Sequence, residues 1–186
     1  MKYFILGLVI FRLIWGFVGP KYARFSSFLA GPKAMLNYIK SMGSQNYVPP
    51  IGHNPIGGLF LSLVLILVTI QGISGLFTSD DIVHSGPYYH TISDALQKSL
   101  QWLHHQTFSL LWIFIAVHIA MVFWYKYGLK HDLIKPMLHG KKAVTQDQAI
   151  AHSQLLKALI VMILVAIFLY WLVEIAPPIQ EDDFYY

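Results

Sequence analysis

The chain has no cysteine anywhere in its 186 residues. That excludes disulfides, thiolate-bound metals, iron–sulfur clusters and covalently attached c-type haem. Charge is scarce as well. Asp, Glu, Lys and Arg make up 12% of the sequence, about half of the roughly 25% found in an ordinary soluble domain. With 56% apolar residues and a mean hydropathy of +0.54, the composition rules out a disordered tail and argues against a soluble globular enzyme. A nucleic-acid-binding module is excluded too, despite a pI near 9.2, because so little of the chain is charged. What the sequence has in quantity is long apolar runs, the mark of a small membrane protein.

Four stretches are expected to span the bilayer: Tyr3–Gly19 with the single charge Arg12, Pro55–Phe77 with none, Leu100–Tyr125 with three histidines, and Leu155–Ile175 with Lys157 and Glu174 near its ends. Each approaches the roughly 20 apolar residues needed to cross about 30 Å of hydrocarbon as a helix. Backbone groups in lipid must be satisfied internally, and no alternation suited to a membrane barrel is visible. The expected fold is therefore all-α, a transmembrane helical bundle with four spans. Asn54-Pro55 reads as an N-cap followed by proline at the first helical position. Gly19-Pro20 and Pro177-Pro178 read as helix stops. Trp15, Trp102, Trp124, Tyr125 and Trp171 fall near helix ends, where headgroup-level aromatic rings belong.

Charge sets the expected orientation. Residues 20–54 carry Lys21, Arg24, Lys33 and Lys40 without an acid, and residues 126–154 carry five lysines against Asp132 and Asp147. Residues 78–99 hold Asp80, Asp81 and Asp94 against Lys98, and the tail ends in Glu181, Asp182 and Asp183. The excess of basic residues assigns 20–54 and 126–154 to the cytoplasm, leaving 78–99 and the C-terminus in the periplasm. On this reading the first span starts outside, and a further span upstream of Met1 is expected. Residues 143–154 (AVTQDQAIAHSQ) read as a polar linker, which divides the chain into 1–142, the linker, an additional C-terminal helix over 155–176 and an acidic tail over 177–186.

Histidine is the informative residue, with nine copies. His84 and His90 fall in the loop assigned to the periplasm, and His131, His139 and His152 in one assigned to the cytoplasm. His104 and His118 lie inside the third apolar run, fourteen residues apart. Fourteen steps of about 100° come to about 1400°, only ~40° short of four turns, so the two rings share one face about 21 Å apart along the helix. His105 points to the opposite side. Two imidazoles on one face, in different leaflets, suit two stacked haems, since neutral imidazole binds haem iron and ionisable groups in hydrocarbon mark functional sites. Hydrogen bonding across helices is the alternative use for them.

Gly7, Gly57, Gly58, Gly72 and Gly75 would let a flat macrocycle, or simply another backbone, come close. Arg12 has two candidate uses, pairing with a haem propionate or snorkelling to the interface. His53 stands just before a helix and is a candidate propionate contact or ligand.

The segments FRLIWGFVGPKYARFSSF (11–28), GHNPIGG (52–58), GLFTSDDI (75–82) and LHHQTFSLLWIFIAVHIA (103–120), continuing to LIKPMLHGKK (133–142), give a resemblance. Over roughly residues 5–142 the chain is similar to the bacterial cytochrome b561 family, which includes the b-type cytochrome subunits of nickel–iron hydrogenases. The resemblance implies four core helices around two b haems in the bacterial inner membrane. It makes His104 and His118 the two iron ligands of the fourth core helix, with Arg12, His53 and Gly57 as candidate propionate or pocket contacts. The family's partner histidines come from its first and second core helices. The similarity here begins just past the position of the second helix's histidine, and the span over 155–175 lies beyond the usual match. The implied role is electron transfer between membrane quinone or quinol and a redox partner such as a c-type cytochrome or a hydrogenase.

Two other classes compete. A proton-coupled transporter would need ionisable partners in other spans, and Arg12 and Glu174 are the only candidates. A non-catalytic membrane anchor of a redox complex would need no histidines in phase. No nucleophile–base pair, paired carboxylates or phosphate-binding loop is present in a setting suited to catalysis.

Overall fold

The computed structural model describes residues 3–42, 52–79, 85–130, 134–139, 150 and 154–178. His84, His131 and His152, the acidic tail from residue 179 and most of the expected 143–154 linker lie outside the described residues. Among those described the protein is helical, with α1 (Phe4–Val18), α2 (Phe25–Phe28), α3 (Pro32–Met42), α4 (Pro55–Ser74), α5 (Asp94–Phe123), α6 (Ile134–His139) and α7 (Leu155–Tyr170). No β-strand occurs among the described residues; one isolated bridge pairs Ser79 with Ser85.

Three helices are long and apolar enough to cross a membrane: Pro55–Ser74, Asp94–Gly128 and Leu155–Ile175. The first expected span is shorter. Helix α1 has 15 residues, about 22 Å of rise against a hydrocarbon core of about 30 Å. Gly19 and Pro20 stop it in extended backbone, with the Gly19 N–H on Trp15 O at 2.9 Å. At the third span the structure extends the helix in both directions. Helix α5 starts at Asp94, whose carboxylate favours the N-terminal end of the helix dipole. Gln97 Nε2 secures this start by donating to Tyr89 O at 2.8 Å. At the other end the helix widens into a π-turn over Trp124–Gly128, and Lys130, in the left-handed region at φ 58°, ends it.

The long helices run antiparallel in the order α5, α4, α1, α7. Helix α4 sits between α5 and α1, and small residues set how closely they approach. A Cβ on Gly72 would lie 2.9 Å from Leu6 Cδ1 of α1, and one on Gly7 would lie 3.1 Å from Leu169 Cδ2 of α7. These two glycines serve helix packing. Expected as an addition beyond residue 142, α7 packs along α1; Lys157 Nζ donates to Val18 O at 3.3 Å, and Tyr88 donates to Leu172 O at 2.7 Å.

The basic segment 20–54 contains two helices where the sequence suggested a connecting loop. Helix α2 is pulled against α4, because Gly58 leaves room for the Phe28 carbonyl; a Cβ there would stand 2.2 Å from that oxygen. Helix α3 is held by Tyr38, whose hydroxyl meets that of Tyr125 at 3.0 Å. Segments 19–42, 124–130 and 134–139 thus share one end of the bundle, the basic end. Residues 75–79 and 85–93 form the opposite end.

Candidate functional site

Helix α5 places His104 and His118 on its α4-facing stripe, consistent with their spacing. His104 meets Gln71 and Ser74 of α4, and His118 stacks on Phe60 of α4 with ring centroids 5.8 Å apart and an 18° tilt. His105 is exposed and contacts the His104 ring only edge-on, at 6.3 Å. The two in-phase rings nevertheless occupy different environments.

Around His104 every polar group is used. Ser74, 1% exposed, donates to the Gln71 backbone carbonyl at 3.2 Å and sits 3.0 Å from His104 Nδ1. Gln71 Nε2 stands 2.9 Å from His104 Nε2, and Gln71 Oε1 accepts from the hydroxyl of Thr107, itself 3% exposed. Thr107 Oγ1 also reaches the carbonyls of Leu103 and His104, at 2.9 and 3.1 Å, so the network closes with the Gln71 amide either way round, each orientation pairing with its own His104 tautomer. With Oε1 accepting, the Gln71 amide donates to Nε2, so the imidazole proton resides on Nδ1 and goes to Ser74 Oγ. A histidine in this state carries its lone pair on Nε2. A hydrogen-bonded N–H on the nitrogen opposite the coordinating one is also the usual arrangement around metal-bound histidine. Gly75 completes the fit, since a Cβ there would lie 3.2 Å from His104 Cε1.

His118 is exposed, and its ring nitrogens make no hydrogen bond among the described residues. It lines an open, apolar groove of about 310 Å³ with Ile119, Val122, Phe123, Ile134 and Leu138. Phe60 backs the ring and itself packs on Phe114, at 5.2 Å.

The remaining candidates gather at the basic end. Arg12 donates to Ala23 O at 3.1 Å, and its guanidinium lies over Phe25 and Phe28, 5.4 and 5.7 Å from the ring centroids. That combination of carbonyl and cation–π contacts holds the charge within the bundle. His53 also packs on Phe28, with ring centroids 5.4 Å apart. Although part of its surface stays exposed, burial against this packing, and secondarily the Arg12 charge, hold its pKa below the ordinary histidine value. Gly57 serves the helix cap, donating its N–H to Asn54 Oδ1 at 2.6 Å, as the Asn54-Pro55 signal anticipated. Asn54 also donates from Nδ2 to the Tyr125 hydroxyl at 2.9 Å, so one side chain joins α4, the π-turn and, through Tyr38, α3.

The sequence singled out His104 and His118 but not Gln71, Ser74 or Thr107. Polar residues in otherwise apolar runs were the available signal. Within α4 these are Ser62, Thr69, Gln71 and Ser74, and Gln71 and Ser74, three residues apart, share a face.

His104 and His118 fit b haem in donor type, in separation and in shared orientation. Each lacks a second histidine opposite it among the described residues of α1, α4 and α7. No curated protein and no solved structure matches the chain. A sequence profile described as prokaryotic cytochrome b561 does match, over residues 2–140. That covers about three quarters of the chain and includes both in-phase histidines together with the GHNPIGG cap; the protein therefore belongs to the prokaryotic cytochrome b561 family, the membrane b-type cytochromes of electron transfer.

Proposed function

We propose that this protein carries electrons between the membrane quinone pool and a redox partner protein, such as a c-type cytochrome or a hydrogenase, with His104 and His118 each supplying one axial ligand to a b haem. The observation that carries this reading is the common stripe. Two imidazoles lie four turns apart on one membrane-length helix and face the same neighbour. Bound there, haem b supplies an iron that alternates between ferric and ferrous states, at a potential set by its ligands and their surroundings. The residues of the chain do the rest. His118 offers an unengaged nitrogen in an apolar groove, and Phe60 and Phe114 keep water from one side of it. Arg12 and His53 offer positive charge and a polar ring to propionates at the basic end, which the excess of lysine and arginine assigns to the cytoplasm of a bacterial inner membrane.

The satisfied state of His104 favours one second reading, a non-catalytic membrane anchor in which that histidine is a cross-helix tie. Haem content separates the two. The full-length protein purified in detergent should show a reducible b-type absorbance, and His104→Ala and His118→Ala should each remove one haem. Full haem content in both variants would overturn the ligand assignment, and an unaltered chain that takes up no haem would leave the anchor.

A further inference from the structure

His104 Nε2 is the nitrogen that iron would take, and the Gln71 amide nitrogen already stands 2.9 Å from it. One lone pair cannot serve both. The Nδ1 side differs, because Ser74 Oγ lies 3.0 Å away, where it can accept the proton that stays on the ring when Nε2 coordinates. Thr107 keeps Gln71 in place from below, and its own hydroxyl also lies within reach of Leu103 O and His104 O, at 2.9 and 3.1 Å. Releasing the Gln71 side chain therefore leaves Thr107 satisfied.

Resting on the haem reading above, we propose that Gln71 and Ser74 act as opposed positioning residues on His104, Ser74 fixing the Nδ1–H tautomer and Gln71 competing with iron for Nε2. Ligation at this site then exchanges one bond for another. The Gln71 N–H···Nε2 hydrogen bond breaks and the Nε2–iron bond forms. No proton leaves the ring, because Ser74 has already selected the tautomer with a lone pair on Nε2. Among the described residues no corresponding donor meets His118, so the two sites should load unequally, with the His104 site restrained.

The test uses the full chain in detergent, with hemin as the probe. A His118→Ala background makes the His104 site the one observed by Soret absorbance. Adding Gln71→Leu removes the competitor and should tighten hemin binding roughly fivefold, the worth of one net hydrogen bond. Ser74→Ala should weaken it by a similar factor, and Ser74→Thr should restore it. Nitrogen-15 spectra of the histidines without hemin provide a readout independent of cofactor binding. His104 should be the Nδ1–H tautomer in the unaltered chain and in Gln71→Leu, and a mixture in Ser74→Ala. Unchanged or weaker binding in Gln71→Leu, while His104→Ala abolishes binding, overturns the competition and leaves the haem reading intact. An Nε2–H tautomer in the unaltered chain overturns the role of Ser74. Saturable hemin binding that survives His104→Ala in the same background sinks the haem reading at this position instead.

Discussion

The two ends of α5 hold the same side chain in contrasting settings. His104 is half-buried among Gln71, Ser74 and Thr107, with both ring nitrogens engaged. His118 lies fourteen residues on, exposed against Phe60 and an apolar groove, with neither nitrogen engaged among the described residues. Helical phase gives both rings the same direction. What each ring does is decided by the α4 residue it meets, an amide at one level and a phenyl at the other. A histidine in a membrane helix is thus a tie or an available ligand according to its neighbour.

Leucine substitutions in the protein prepared without haem should break that symmetry most strongly. His104→Leu leaves Ser74 only its bond to the Gln71 carbonyl and takes the ring partner from the Gln71 amide, and should cost about 2 kcal/mol in chemical unfolding, given about 1–3 kcal/mol for a buried polar group left unpaired. His118→Leu should change stability by less than about 0.5 kcal/mol, the range for surface changes away from special features. Equal losses would mean that the two settings do not differ energetically.

Of similar size is Gly58→Ala at the basic end. Its new Cβ would meet the Phe28 carbonyl at 2.2 Å, so α2 must shift away from α4 at a cost of about 2 kcal/mol, within the overpacking range. Faster proteolysis in segment 20–42 would report the shift. The Arg12 contacts to Phe25 and Phe28 should loosen with it, while the His104 network stays intact.

Tyr125→Phe removes the hydroxyl that joins Tyr38 to Asn54. About 1 kcal/mol should be lost, and hydrogen exchange should rise in α3 more than in α5.

The smallest effect concerns pH. Because the folded-state pKa of His53 is held down, chiefly by burial and then by Arg12, folding favours the neutral ring. Unfolded chains take up this proton near pH 6.5, so stability should fall as pH drops below about that value and be unaffected by this group above it. His53→Gln should flatten the acid limb of the stability profile; an unchanged limb would show that folding does not lower the pKa of His53.

Much of this was legible from residue order because the membrane imposes strict local rules. Apolar runs must become helices, Asn54-Pro55 must cap one, and the fourteen-residue spacing must put His104 and His118 on one stripe. The helices inside segment 20–54 were less visible. Their order depends on long-range contacts, the Phe28 backbone entering the space at Gly58 and the Tyr38 hydroxyl reaching Tyr125, which no local pattern records. Arg12 illustrates the same limit. Its position near a helix end was plain, but the carbonyl of Ala23 and the faces of Phe25 and Phe28 that receive it are set by the chain turning back at Pro20.

The sequence by itself determined an all-helical membrane protein with a histidine stripe, because hydrophobicity, backbone hydrogen bonding and the pitch of a helix act locally. Only the tertiary structure decided which partner each imidazole meets, and hence that Nε2 of His104 faces an amide while His118 faces a phenyl ring. That choice rests on the register of α4 against α5, and register is fixed by the summed packing of both helices.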